Sequence, residues 1–276
     1  MRNPIDGETR ILGVLGENIA YTLSPAIQNA ALAHARLNCR YVAFSVTRKK
    51  LGAFFEAVRA LDMPGVNVTI PHKEEVIRHI DSLSRSAKRI GAVNTVVNRK
   101  GSLRGENTDL AGFRALLNGL RVRDIRSALV LGAGGAARAV LVELAERGVP
   151  SVRVACRRPA RGKALLRALG VAGESIAWRA REEEAVDLVV NTTPLGQNAR
   201  DAKPVGKRFL RGVRAVTDLV VKPGGTSLVK DARSLGVPAE EGSLMLVEQG
   251  RESFYHWFGR RPPRSVMMRA LEDSYR

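Results

Sequence analysis

Cysteine is nearly missing from this sequence: the two that occur, Cys39 and Cys156, lie far apart in apolar runs, which excludes a disulfide framework and a cysteine-built metal centre and leaves both as small core residues. Histidine is equally sparse, and His34, His72, His79 and His256 form no pair at metal-ligand spacing, so no metal is predicted. Aromatic residues make up 5% of the chain, too few for the stacking platforms of single-strand nucleic-acid binders. No apolar run approaches the roughly 20 residues a membrane span needs, and the start Met1-Arg-Asn-Pro-Ile-Asp6 has no signal-peptide core. These absences predict a cytoplasmic protein with no membrane association. There is also no internal repeat, low-complexity linker or charge block.

What remains is an ordinary globular composition, 276 residues with 45% hydrophobic and 26% charged, for which length sets an expectation of about two domains. The net charge of +18 raises the question of a polyanionic partner. Lys and Arg are spread along nearly every segment, without a recognition helix, zinc-finger or RNP pattern. The charge therefore reads as compositional bias with some steering of anionic ligands, and no specific nucleic-acid partner is predicted.

The stretch Leu129-Val-Leu-Gly-Ala-Gly-Gly-Ala-Ala-Arg138 reads as a buried strand, a glycine-rich turn and a helix. Gly132, Gly134 and Ala137 fit a G-x-G-x-x-G/A spacing, in which the first glycine makes a tight turn, the second admits a pyrophosphate and the third position packs closely. The opening helix aims unpaired N–H groups and a positive dipole end at an anion. A second strand-like run, Ser151-Val-Arg-Val-Ala-Cys156, follows about 20 residues on, as a βαβ unit requires. At its end, where an NAD site carries an acid, stand Arg157, Arg158 and Arg161. Those cations suit a 2′-phosphate, and the predicted cofactor is NADP.

Before this unit, strand-like runs at 11–16, 41–46 and 66–70 alternate with helical patterns from Pro25, over 51–61, and around Val76, Ile77 and Ile80. That alternation predicts a small parallel α/β sheet. A short helix near 87–90 leads to a hairpin, 92–98 with 103–107, turned at 99–101, and a helix over 110–120 bridges to the glycine turn. Beyond it the runs at 174–178, 187–193 and 214–221 continue the second unit, closed by a helix over 228–235. The pattern after Gly242, with Phe254, Tyr255, Trp257 and Phe258, predicts a helix returning to another surface, and a last helix runs from Ser265 to about Tyr275.

Six segments, Thr22-Leu-Ser-Pro25, Asn67-Val-Thr-Ile-Pro-His-Lys73, Gly91-Ala-Val-Asn-Thr95, Gly105-Glu-Asn-Thr-Asp109, Gly132-Ala-Gly-Gly-Ala136 and Gly242-Ser-Leu-Met-Leu-Val-Glu-Gln249, together with Asn191-Thr-Thr-Pro-Leu-Gly196, resemble the shikimate dehydrogenase family nearly end to end. The resemblance implies an α/β enzyme of two domains: an N-terminal substrate domain over 1–109, completed by 244–276, and a Rossmann-like NADP domain over 110–243, with the reaction in the cleft between them. It implies NADPH-dependent, reversible reduction of 3-dehydroshikimate to shikimate, a step of aromatic amino acid and chorismate biosynthesis. The protein would be a monomer or homodimer with a small-molecule substrate.

By the same likeness Lys73 and Asp109 are the catalytic pair, an ammonium beside a carboxylate that supplies a proton as negative charge grows on the carbonyl oxygen. From local sequence alone Lys73 is also an ordinary lysine beside Glu74 and Glu75, and Asp109 an N-cap for the helix that follows. The likeness assigns Thr22 and Ser24 to the substrate carboxylate and Thr69, Asn94 and Gln249 to ring hydroxyls; Ser24-Pro25 equally reads as a helix start. It matches Gly134, Gly135 and Ala136 to the phosphate turn begun by Gly132, Arg157 and Arg161 to NADP selection, Thr192 to the adenosine side, and Leu219 and Gly242 to the nicotinamide surroundings.

Two positions depart from the family pattern. Tyr21-Thr22 stands where His-Ser is common, and Val221 where a tyrosine usually meets the substrate. The second change removes a donor and opens volume, which brings quinate or an amino-substituted relative into play as alternative substrates. A non-catalytic ligand sensor is a further alternative, opposed by the retention of both Lys73 and Asp109.

Overall fold

The computed structural model describes residues 5–198 and 200–275. The chain divides into two compact units, Met1–Thr108 with Val247–Arg276, and Asp109–Leu246.

In the first unit β1 (Arg10–Gly16), α1 (Ser24–His34), β2 (Cys39–Ser45), α2 (Leu51–Ala60) and β3 (Gly65–Val68) alternate. Then follow β4 (Ser82–Leu83), α3 (Arg85–Ile90) and the strands β5 (Thr95–Arg99) and β6 (Ser102–Glu106). The sheet order is β2-β1-β3-β5-β6-β4. β1 pairs β2 and β3 in parallel, as the alternation predicts. The predicted hairpin then makes the sheet mixed, because β5 runs antiparallel to both β3 and β6. Lys100 and Gly101, both at positive φ, form its two-residue turn. A core of Leu15, Phe55, Val66, Val68, Val76, Val96 and Leu103 lies under α2 and the segment before β4.

The helix predicted around Val76, Ile77 and Ile80 is instead a five-residue 3-10 turn, Glu75–His79. Ile80 is already extended at φ −110 and ψ 135, and Asp81 N donates to Leu103 O at 3.0 Å. Pairing toward the sheet claims the chain before a helix long enough to propagate can form. Glu75 is held between Arg48 at 2.6 Å and Arg78 at 3.0 Å.

The second unit runs through α4 (Asp109–Gly119), β7 (Ser127–Leu131), α5 (Gly135–Glu146), β8 (Ser151–Cys156), α6 (Pro159–Leu169) and β9 (Glu174–Ala177). It continues with β10 (Leu188–Asn191), α7 (Lys207–Leu210), β11 (Ala215–Asp218), α8 (Ser227–Ser234) and β12 (Ala239–Glu241). All pairings are parallel, in the order β12-β11-β10-β7-β8-β9. Counted within the unit this is the doubly wound order 3-2-1-4-5-6, which reverses between β7 and β10 and opens a crevice beyond their carboxyl ends. The strands are short and apolar because both faces are covered; β10 and β11 are buried at every position. Thr226 caps α8 by accepting from Val229 N. Arg114 and Arg147 clamp the carboxylate of Glu143, 1% exposed, and so join α4 to α5.

α9 (Gly242–Phe258) begins in the second unit and belongs to the first from Val247 onward, followed there by α10 (Arg264–Asp273). Trp257 Nε1 donates to Val96 O at 3.0 Å and Gln28 Nε2 to Gly250 O at 3.0 Å, which fixes the second half of α9 against β5 and α1.

Candidate active site

The register of the first sheet decides which polar residues share an end. Val14 and Asn67 are partners, as are Asn67 and Thr95, and Thr95 and Glu106. The carboxyl ends of β1, β3 and β6 and the amino end of β5 therefore lie together, and six of the seven candidate groups of this unit and its boundary follow or precede those ends: Thr22, Ser24, Thr69, Lys73, Asn94 and Asp109. The seventh, Gln249, arrives on α9. Such an end is where open α/β sheets place ligands.

Thr22 Oγ1 and Ser24 Oγ are 3.3 Å apart and both half-buried. Ser24 is the first residue of α1 and makes no capping bond, the cap position being Leu23; its hydroxyl is not consumed as the sequence alternative for it requires. Thr69 is half-buried and tied by its backbone, N to Leu15 O at 2.8 Å and O from His72 N at 3.0 Å. Asn94 is 2% exposed. Its Nδ2 donates to Thr108 Oγ1 at 2.9 Å, and its Oδ1 accepts from Thr108 N at 2.7 Å. Gln249 Oε1 lies 3.5 Å from both Asn94 Nδ2 and Thr108 Oγ1, so Asn94 and Gln249 do meet.

Beneath them lies a polar layer that sequence reasoning missed. Asn67 Nδ2 reaches Asn94 O, Thr95 Oγ1 and Ser253 Oγ at 3.1, 3.0 and 2.9 Å, while Tyr41 OH donates to Asn67 Oδ1 at 2.6 Å. Thr95, Thr108 and Ser253 are 0%, 1% and 0% exposed. The available signal was the polar residues inside otherwise apolar runs, such as Asn67 in Val66-Asn-Val-Thr-Ile70. Buried polar groups are kept only where they are satisfied, and these satisfy each other.

Lys73 is half-buried, and its carbonyl accepts from Val93 N at 2.7 Å, which sets it beside the start of the Asn94 segment. His72, given no role from sequence, is 1% exposed with Nε2 2.7 Å from Val46 O, and it pegs the segment that carries Lys73. Asp109 opens α4 at 5% exposure, one residue after Thr108.

In the second unit the glycine turn sits at the switch point. Gly132 has φ +104, and a Cβ there would fall 2.7 Å from Thr192 Oγ1, itself bonded to Leu131 O at 2.7 Å. The turn after β7 and the loop after β10 therefore touch, and only glycine allows it. A Cβ on Gly134 would meet nothing within 4 Å, and α5, which opens with Gly135 and Ala136, has no side-chain cap. The missing side chain at Gly134 is thus not demanded by protein neighbours; it leaves room for an anion at the N-terminus of a 12-residue helix. The residues present fit a dinucleotide. Arg157, Arg158 and Arg161 are exposed at the end of β8 and, among the described residues, enter no ion pair. Cys156 is 7% exposed, its Sγ 3.1 Å from Arg158 O. A Cβ on Gly242 would fall 2.8 Å from the Val220 carbonyl carbon and closer still to Leu219, so β12 turns into α9 directly against the Leu219 backbone.

Asp218 and Asn191, both 0% exposed, end their strands as polar residues and join these loops. Asn191 Nδ2 donates to Asp218 Oδ1 at 2.9 Å and Asn191 Oδ1 accepts from the Thr193 hydroxyl at 2.7 Å; Asp218 also accepts from Val220 N at 3.0 Å and the Thr226 hydroxyl at 2.7 Å. Burial pushes the Asp218 carboxyl up to about 6, against the pull of those donors. A folded value above the ordinary 3.8 means the group favours folding fully below about pH 4 and loses that contribution as pH rises through 6. Asp218→Asn, which keeps the shape, is expected to gain on wild type over that interval by on the order of 3 kcal/mol. Urea unfolding of both proteins between pH 4 and 7 measures it, and a stability difference independent of pH would refute the shift.

Comparison with known proteins agrees with this architecture. The family model described as the shikimate dehydrogenase substrate binding domain matches residues 14–96, and that described as the shikimate 5′-dehydrogenase C-terminal domain matches residues 242–272. The shikimate dehydrogenase (NADP(+)) of Rubrobacter xylanophilus is 42% identical over 275 residues, 97% of each chain. The crystal structure of shikimate dehydrogenase from Aquifex aeolicus superposes with a TM-score of 0.90 at 36% identity, covering 98% of this chain and 100% of that one. The shikimate 5-dehydrogenase of Thermus thermophilus, solved in complex with NADP(H) and shikimate, gives 0.84 at 36% identity over 96% and 99%. With relatives this similar along nearly its whole length, the chain belongs to the shikimate dehydrogenase family.

Proposed function

We propose that this protein is an NADP-dependent shikimate dehydrogenase, interconverting 3-dehydroshikimate and shikimate. What supports the proposal is the register that brings the strand ends next to Thr22, Ser24, Thr69, Lys73 and Asn94 to one end of the first sheet, with Gln249 in contact with Asn94. A ligand with one carboxylate and several hydroxyls matches that set. The paired hydroxyls of Thr22 and Ser24 hold the carboxylate, and Thr69, Asn94 and Gln249 hold and orient the ring hydroxyls. Residues 1–109 with 244–276 form the substrate domain and 110–243 the cofactor domain.

Gly132, Gly134, Gly135 and Ala136 hold the pyrophosphate, Arg157 and Arg161 the 2′-phosphate, and Thr192, Leu219 and Gly242 line the remainder. NADPH, when bound, supplies hydride to the ring ketone carbon. Lys73 donates the proton to the carbonyl oxygen on which charge develops, and Asp109 holds the ammonium and shares its proton. In the reverse direction the same pair takes the proton from the alcohol.

The test is absorbance of the reduced nicotinamide on mixing the protein with shikimate and NADP, repeated with NAD and with quinate. Growth of the band with shikimate and NADP, several-fold slower with NAD or quinate, is expected. Silence with every combination would leave a ligand-binding protein without turnover, and faster turnover of quinate would move the substrate assignment to quinate, the alternative that Val221 raises.

A further inference from the structure

We propose that Ser253 is a positioning residue for substrate recognition, acting through Gln249 and Asn94; this rests on the assignment of those two side chains to the ring hydroxyls. Ser253 stands one turn after Gln249 on α9 and is 0% exposed. Its hydroxyl has four neighbours: Gln249 O at 2.9 Å, Asn67 Nδ2 at 2.9 Å, Thr95 Oγ1 at 2.8 Å and Thr108 Oγ1 at 3.1 Å.

Counting protons orders this cluster. A carbonyl only accepts, so the single Ser253 proton goes to Gln249 O, one turn back on the same helix, and leaves the Ser253 oxygen to accept from the sheet end. The Ser253 oxygen then accepts from Asn67 Nδ2 and from one threonine hydroxyl, of which Thr95 is nearer. Of the other acceptors within reach of the Thr95 hydroxyl, Asn94 Oδ1 at 3.1 Å is nearer than Thr108 Oγ1 at 3.3 Å. Ser253 therefore draws the Thr95 proton away from the Asn94 side chain while fixing the backbone of Gln249. Removing its oxygen sends that proton back to Asn94 and releases the Gln249 turn, changing both recognition groups at once while touching neither the glycine turn nor Lys73. The hydroxyl is buried, satisfied and shared between α9 and three segments of the sheet end, so its effect is on orientation and not on contact with the ligand.

The experiment is steady-state kinetics of Ser253→Ala, Ser253→Cys, Gln249→Ala and Asn94→Ala with shikimate as the varied substrate, alongside melting curves and the NADP dissociation constant. Ser253→Ala is expected to raise KM for shikimate about fivefold or more, the worth of one misplaced hydrogen bond, with a smaller fall in kcat and an unchanged NADP constant. Ser253→Cys, which keeps a weak donor and the side-chain shape, is expected to fall between alanine and wild type. An unchanged KM in Ser253→Ala, or a wild-type KM in Ser253→Cys if the alanine variant does not fold, overturns the proposal when Gln249→Ala and Asn94→Ala do raise KM. Equal losses of shikimate and NADP binding in Ser253→Ala mark a purely structural residue and overturn it too. If Gln249→Ala and Asn94→Ala both leave KM unchanged, the substrate assignment itself fails and takes the proposal with it.

Discussion

Lys73→Ala is expected to lower kcat by about a hundredfold to ten-thousandfold, the usual span for losing a positioned proton donor, while KM for shikimate moves by less than about threefold. The reason lies in what the side chain has to stabilise. The ketone and the alcohol are both neutral at the reacting oxygen, so an ammonium there has little to hold in either ground state; charge appears only as hydride arrives, and an interaction made only then appears in kcat. The local structure suits such a group. The Lys73 segment is pegged by His72 on Val46 O and by the Lys73 carbonyl on Val93 N, at 2.7 Å each, so the backbone beneath the ammonium does not wander. The neighbouring Glu75 is already engaged by Arg48 and Arg78. Initial rates over a range of shikimate concentrations separate the two constants. A variant with normal kcat and a raised KM would make Lys73 an anchor for a hydroxyl, and the proton would have to come from elsewhere.

The second large effect concerns the choice of cofactor. Replacing Arg157 and Arg161 together by Ala is expected to lower kcat/KM for NADP by about a hundredfold, from two charge-assisted hydrogen bonds at roughly 1.5 kcal/mol each, and to leave kcat/KM for NAD within about threefold. Both guanidinium groups are exposed at the end of β8, so their attraction for a phosphate is screened, and the loss should shrink as salt is raised. The net charge of +18 makes this control necessary: a general basic field favours any polyanion, whereas two placed arginines favour the 2′-phosphate alone. Equal losses with NADP and NAD would show that the pair serves the helix end or the pyrophosphate and not the choice between cofactors.

The elements that were legible from sequence are those whose signal is local. The apolar strand and glycine turn at Leu129 to Gly135, the missing acid after Cys156, and the hairpin closed at Lys100 and Gly101 all follow from dihedral limits and burial within a few residues of each other. In the segment after Lys73 the sequence misleads, because Val76, Ile77 and Ile80 have helical spacing, yet Ile80 is drawn into an extended path toward β4 and β6 by partners more than 20 residues away. The strands β4 and β12, of two and three residues, carry too little pattern to announce themselves.

By itself the sequence determined the class of each unit, the glycine turn that opens α5 and the inventory of polar candidate residues, because propensity, periodicity and turn chemistry act over short separations. Only the tertiary structure decided that Asn67, Thr95, Thr108 and Ser253 form one buried layer under Asn94 and Gln249, and that Asp218 and Asn191 bind two loops of the second unit together. Those outcomes depend on strand register and on α9 bringing residues from 249 onward back against residues near 67 and 95, and a buried polar group chooses its partner only after such distant segments have been packed out of water.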